Sequence, residues 1–152
     1  MRGVVYFQPP KWVSKSKHIV NIETYENDCF KLCILAALEL PKSKTHKERP
    51  SVYKKLKRDF NFDGIEFPVQ LRDIAKFEKQ NKVSVNVFGI EEDGSLGVLH
   101  LCETEFDEHV NLLLLVSDDG NYFHYSLITD LSAILSNQFR NKGRGKHICN
   151  RC

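Results

Sequence analysis

From Val83 to Phe139 the chain has neither lysine nor arginine. That absence partitions the charge of a 152-residue sequence whose 22 Lys+Arg and 20 Asp+Glu leave a formal net charge of only +2. Residues 1 to 82 hold 17 basic against 10 acidic side chains, the stretch without bases holds 10 acidic residues from Glu91 to Asp130, and residues 140 to 152 add 5 bases. Any partner therefore meets a polarised surface. Also missing is an apolar run near the roughly 20 residues that cross a bilayer, which excludes a membrane-spanning helix. The N-terminus shows no apolar stretch followed by a small-residue cleavage site, so no secretory signal is expected. A reducing compartment, cytoplasmic or nuclear, with free thiols at the 5 Cys is the corresponding expectation. No internal repeat is visible. The 41% hydrophobic and 11% aromatic content excludes a disordered chain, and the length accommodates one core.

Residues 1–17, with Pro9-Pro10, show no sustained period and read as an arm, so the folded domain is expected over 18–139, followed by a basic tail over 140–152. Ile19 to Ile22 forms a strand candidate, and Glu26-Asn27-Asp28 a turn rich in capping residues. Phe30, Cys33, Ile34, Ala37 and Leu38 then fall on one face of a helix that ends before Pro41. Ser51 is a candidate cap for a short helix through Val52 and Leu56. A helix over residues 70–80 follows, with Leu71, Ile74, Ala75 and Phe77 as its apolar positions. After Asn81 the period changes from helix to strand: Val83 to Phe88, Gly97 to Cys102, then Val110 to Val116 and Tyr122 to Ile128 flanking Asp119-Gly120 as a hairpin. Asp130 is a candidate N-cap of a last helix. Helices first and an antiparallel sheet after give an α+β layout.

Two residue types in this layout bear on chemistry. Cys29 falls on the first turn of the first long helix, where free N–H groups and the helix dipole favour a thiolate and could hold an oxyanion. The alternative for Cys29 is a small buried hydrophobe, which is the reading preferred for Cys33. A thiolate nucleophile needs a base from another element. With Asp119-Gly120 as the turn, cross-strand partners place His124 opposite Leu115, on the face away from Phe123 and Tyr125 and beside Tyr122, Ser126, Ser117 and Asn111; His109 is the second choice. The third member stays open among Asp130, Asn86 and Asn111. Asp130 lies six residues beyond His124. In an extended strand that is roughly 20 Å.

Glu26-Asn27-Asp28-Cys29-Phe30 is similar to the Asp-Gly-Asn-Cys signature of ovarian-tumour-type deubiquitinases, with Glu26 where Asp is usual and Asn27 where Gly is usual. More of the chain, 18 to 152, resembles a cysteine-peptidase-like module that accompanies family-B DNA polymerase genes in Polinton-type mobile elements. The matching stretches are 27–38, 75–81, 83–88, 109–114 and His124-Tyr125. The resemblance implies a papain-like fold with its catalytic helix packed on the antiparallel sheet, Cys29 as nucleophile, His124 as base and Asp130 as the third residue. Glu26, Asn27 and Asp28 would then form the oxyanion turn. The implied activity is that of a deubiquitinase-like thiol hydrolase on ubiquitin or a ubiquitin-like modifier, with no cofactor for catalysis. A basic extended modifier tail would be drawn to the acidic stretch that carries His124.

Two features point elsewhere. Cys149 and Cys152 form a Cys-x-x-Cys pair, half of a tetrahedral zinc site, and the resembled proteins continue there into a zinc-finger-like segment. Residues 42–58 hold eight Lys or Arg against Glu48 alone, and 140–151 add more, a pattern that nucleic acid would favour although no readout motif accompanies it. A peptidase fold kept only as an interaction domain is the remaining alternative.

Overall fold

Continuous apolar runs such as Leu112 to Leu115 do not arise on a half-exposed sheet; they require both faces to be covered. The computed structural model describes residues 2–3, 8–41 and 43–141, with 2–3 and 138–141 described by their backbone alone. In order, the elements are β1 (Arg2–Gly3), α1 (Lys11–Lys15), β2 (Ile19–Val20), α2 (Cys29–Glu39), α3 (Ile74–Asn81), β3 (Val83–Ile90), β4 (Leu96–His100), β5 (Glu108–Val116), β6 (Tyr122–Ile128) and α4 (Leu131–Asn141). Short 3-10 turns occupy Pro50–Lys55 and Leu71–Asp73. The class is α+β.

The strands form one sheet in the order β1-β6-β5-β3-β4, with β2 also on the outer edge of β6. The hairpin register is the one the turn dictates, with Leu115 opposite His124 and Leu114 opposite Tyr125. The sheet is mixed, however, not antiparallel. The chain turns at 91–95, lays β4 on the outer side of β3, and returns to start β5 on the inner side, so β3 and β5 run parallel. Alternation along a strand fixes its faces and carries no information about which strand lies beside it, which is why the expectation failed on this point.

One face of the sheet packs Val83, Val85, Leu112, Leu114, Phe123 and Tyr125 against α2 and α3. The other packs Phe88, Leu113, Leu115 and Ile128 against Val13, Leu131 and Ile134 of α1 and α4. Residues 8–15, read from sequence as arm, are thus part of this second layer: Pro10 starts α1 and Val13 is buried. A five-residue helix has too few turns to show a period, so its one buried residue left no signal.

Phe30 anchors α2. Its ring meets Phe77 at 5.1 Å and Tyr125 at 5.3 Å, both edge-on, and the Tyr125 hydroxyl donates to the Val69 carbonyl at 2.8 Å. Such pairs add roughly 0.5–1.5 kcal/mol each beyond their burial. At the other end of α2, Arg58 donates to both carboxylate oxygens of Glu108, at 2.7 and 2.5 Å, and to Glu39 at 3.2 Å. Asp130 accepts from the Ala133 N–H at 3.0 Å and the Ser132 hydroxyl at 2.9 Å, which makes it the N-cap of α4.

These roles rank two substitutions. Phe77→Ala should lower the unfolding free energy by about 3–5 kcal/mol through a core cavity, and Asp130→Ala by about 1 kcal/mol through a lost cap. Urea denaturation checks both, and equal losses would contradict the assignment.

Candidate active site

The turn before α2 is fixed by one threonine. Thr24 is buried, its hydroxyl accepts the Glu26 N–H at 3.2 Å and donates to Asp28 Oδ1 at 2.7 Å. Asp28 occupies the N-cap position, yet its carboxylate makes no capping hydrogen bond, because Thr24 holds it. The first-turn N–H groups of an 11-residue helix are therefore left uncapped by that side chain. Cys29 is the first residue of α2, 1% exposed, and the N–H groups of Tyr125, Phe30 and Cys29 itself favour its thiolate.

Those neighbours come from a gap in the sheet edge. β1 covers Tyr122 and Phe123 on the outer side of β6, and β2 covers Leu127 and Ile128, leaving Tyr125 between them. The two thiols of α2, one helical turn apart, fill the gap. Cys33 Sγ donates to the Tyr125 carbonyl at 3.4 Å, and Cys29 meets the Tyr125 N–H. That nitrogen is bonded to the carbonyl carbon of His124, so the Cys29 sulfur meets the backbone next to the candidate base, whose side chain alternates to the other face of β6.

His124 does not project into solvent. It lies on the face of β6 opposite Tyr125 and is 2% exposed. The sequence identifies the face correctly and misses the burial. Burial holds the imidazole down to about 4, opposed by the Ile22 carbonyl and by the charge of Asp28, which favour the protonated ring. Burial likewise pushes the Cys29 thiol up to about 11, and Asp28 adds to that shift. At neutral pH the pair rests as thiol and neutral imidazole.

Of the other candidates, Glu26 and Asn27 are exposed on the turn, and Asp28 is the acid whose charge reaches both Cys29 and His124. Asn86 and Asn111 serve a different cluster: Asn86 donates to Asn111 Oδ1 at 3.3 Å and accepts the Cys102 N–H at 2.8 Å, and His109 Nε2 lies 2.9 Å from Asn111 Oδ1. Asn111 pairs with Ile128, four positions along β6 from His124. His100 pairs with Glu78. Cys149 and Cys152 lie outside the described residues, among which no group of three or more His, Cys, Asp or Glu could hold a metal ion. The electrostatic role of Asp28 escaped the sequence reading; the Thr24 to Asp28 spacing ahead of an apolar helix was its available signal.

Beside the turn lies an open cleft of about 770 Å³ lined by Thr24, Tyr25, Glu26, Asp28, Tyr53 and Phe67 among others. It reaches Asp28, while Cys29 lies just behind it in the core. No family model matches this chain, and no curated protein or solved structure matches it either.

The depressed His124 value couples to stability. Above the unfolded value of 6.5 the ring is neutral in both states and costs nothing. Between 6.5 and about 4 only the unfolded chain takes the proton, so stability falls with pH, by on the order of 3 kcal/mol at the lower end. His124→Gln should remove that part of the acid sensitivity in urea melts compared between pH 7 and pH 4.5. An unchanged slope would contradict the buried neutral imidazole.

Proposed function

We propose that the protein is a papain-like cysteine hydrolase that cleaves ubiquitin or a ubiquitin-like modifier from its conjugates. The observation that carries this reading is the meeting of Cys29, at the uncapped N-terminus of α2, with the Tyr125 N–H beside His124, under the charge of Asp28.

The Cys29 proton passes to His124, and the thiolate attacks the carbonyl at the modifier C-terminus. The oxyanion is held by N–H groups of the α2 first turn. His124 returns the proton to the leaving amine, and water, deprotonated by the same ring, hydrolyses the thioester. Asp28 stabilises the imidazolium, a role that the resemblance gives to Asp130 and that the N-cap geometry of Asp130 leaves to Asp28. Because Cys29 and His124 rest neutral and buried, with side chains on opposite faces of β6, substrate binding in the cleft must shift the Glu23 to Asp28 turn to uncover the sulfur and bring it within reach of the imidazole.

Two other readings receive less support. Binding of nucleic acid through residues 42–58 loses Arg58, which is committed to Glu108 and Glu39. An interaction domain that has lost activity is consistent with the closed, neutral pair, and one experiment separates it from an enzyme.

A ubiquitin bearing a C-terminal electrophile should add covalently to the wild-type protein and to Cys33→Ala, and not to Cys29→Ala, as read by intact mass. Asp28→Asn should slow addition by roughly tenfold, a change of about 1.4 kcal/mol in the barrier. Folded wild-type protein that adds neither ubiquitin nor ubiquitin-like electrophiles would contradict the proposal.

A further inference from the structure

The strand farthest from the candidate active site carries neither lysine nor proline, two of the usual guards of a sheet edge. β4 is the last strand in the order, with no strand beyond it among the described residues. Natural edges are protected by lysine, proline or an outward bulge, because an open row of backbone groups templates pairing with another chain. β4 has neither lysine nor proline, and its one irregularity is a bulge at Leu99, which the register skips between Val98 and His100. Its only polar side chain, His100, turns inward onto Glu78. Instead Val98, Leu99 and Leu101 are 57%, 47% and 50% exposed, three large apolar side chains within four positions.

Both ends of this apolar edge are acidic. Exposed Glu91, Glu92 and Asp93 form the turn that leads into β4, and exposed Glu103 and Glu105 follow it. The Lys79 ammonium near Glu103, at 3.6 Å, is a solvent-exposed pair of little strength. Apolar side chains in the middle and carboxylates at both ends define a complement.

We propose that β4 is a docking edge for a basic, extended protein segment that adds to the sheet as a further strand. Main-chain pairing supplies the affinity, apolar side chains cover Val98, Leu99 and Leu101, and lysines or arginines reach the acidic ends. A second copy of this chain is the poorer occupant, since two β4 edges paired antiparallel bring carboxylates of like charge against each other.

The probe is a fluorescein-labelled decapeptide of alternating lysine and valine, followed by anisotropy on the full chain. It should bind, lose affinity as salt rises from about 50 to about 300 mM, and have no counterpart in the glutamate-valine peptide. Methylation of alternate backbone nitrogens on the peptide should abolish binding, and Val98→Lys or Leu101→Lys should weaken it about tenfold or more, both positions being exposed enough to leave the fold intact. Failure of the lysine-valine peptide to bind, or equal binding by its N-methylated form or by both variants, would overturn the proposal. So would a wild-type dimer that Val98→Lys converts to monomer, because the occupant would then be a second copy.

Discussion

The constraint on which the structure turns is the requirement that a buried backbone find partners for its N–H and C=O groups. Tyr125 sits in the uncovered stretch of β6 between two flanking strands of two residues each. Its carbonyl and N–H are met by Cys33 and Cys29, side chains one turn apart on α2. The helix therefore continues the sheet edge with sulfur in place of a strand. Phe30, between the two thiols in sequence, seats the same helix against Tyr125 and Phe77. Packing and hydrogen bonding thus fix α2 at one rotation and one height, and that rotation puts the first residue of the helix against the Tyr125 backbone, next in sequence to His124.

The same burial sets the electrostatics. A thiol raised to about 11 and an imidazole lowered to about 4 store no ion pair in the resting protein. Desolvation dominates both groups, and Asp28 acts on them in opposite senses, against the thiolate and for the imidazolium. A carboxylate so placed assists a step in which the proton has already moved to histidine. It keeps Cys29 unreactive until then. Thr24 makes this arrangement possible by holding Asp28 away from the capping position it would otherwise take.

Much of this was legible in the sequence because it rests on local rules. The α2 helix is written in the spacing of Phe30, Cys33, Ile34 and Ala37, the hairpin in Asp119-Gly120, and the position of His124 opposite Leu115 follows from that turn by counting. What was not legible depends on neighbours. The parallel pairing of β3 with β5 is a matter of chain path. The burial of His124 brings it to Ile22 and Asp28 of the segment ahead of α2, about a hundred residues away in sequence. The part played by Asp28 arises from a hydrogen bond with Thr24, and Asp130, which spacing alone left between cap and catalytic acid, is seen as a cap.

The central claim is that Cys29 and His124 both rest buried and neutral in the free protein. The rate of Cys29 alkylation by iodoacetamide against pH, resolved by peptide mass spectrometry, tests it most directly. The account predicts slow modification at neutral pH and a rate still rising as pH approaches the thiol value of about 11. A rapid rate already at its plateau below pH 7 would show a resting thiolate and contradict it.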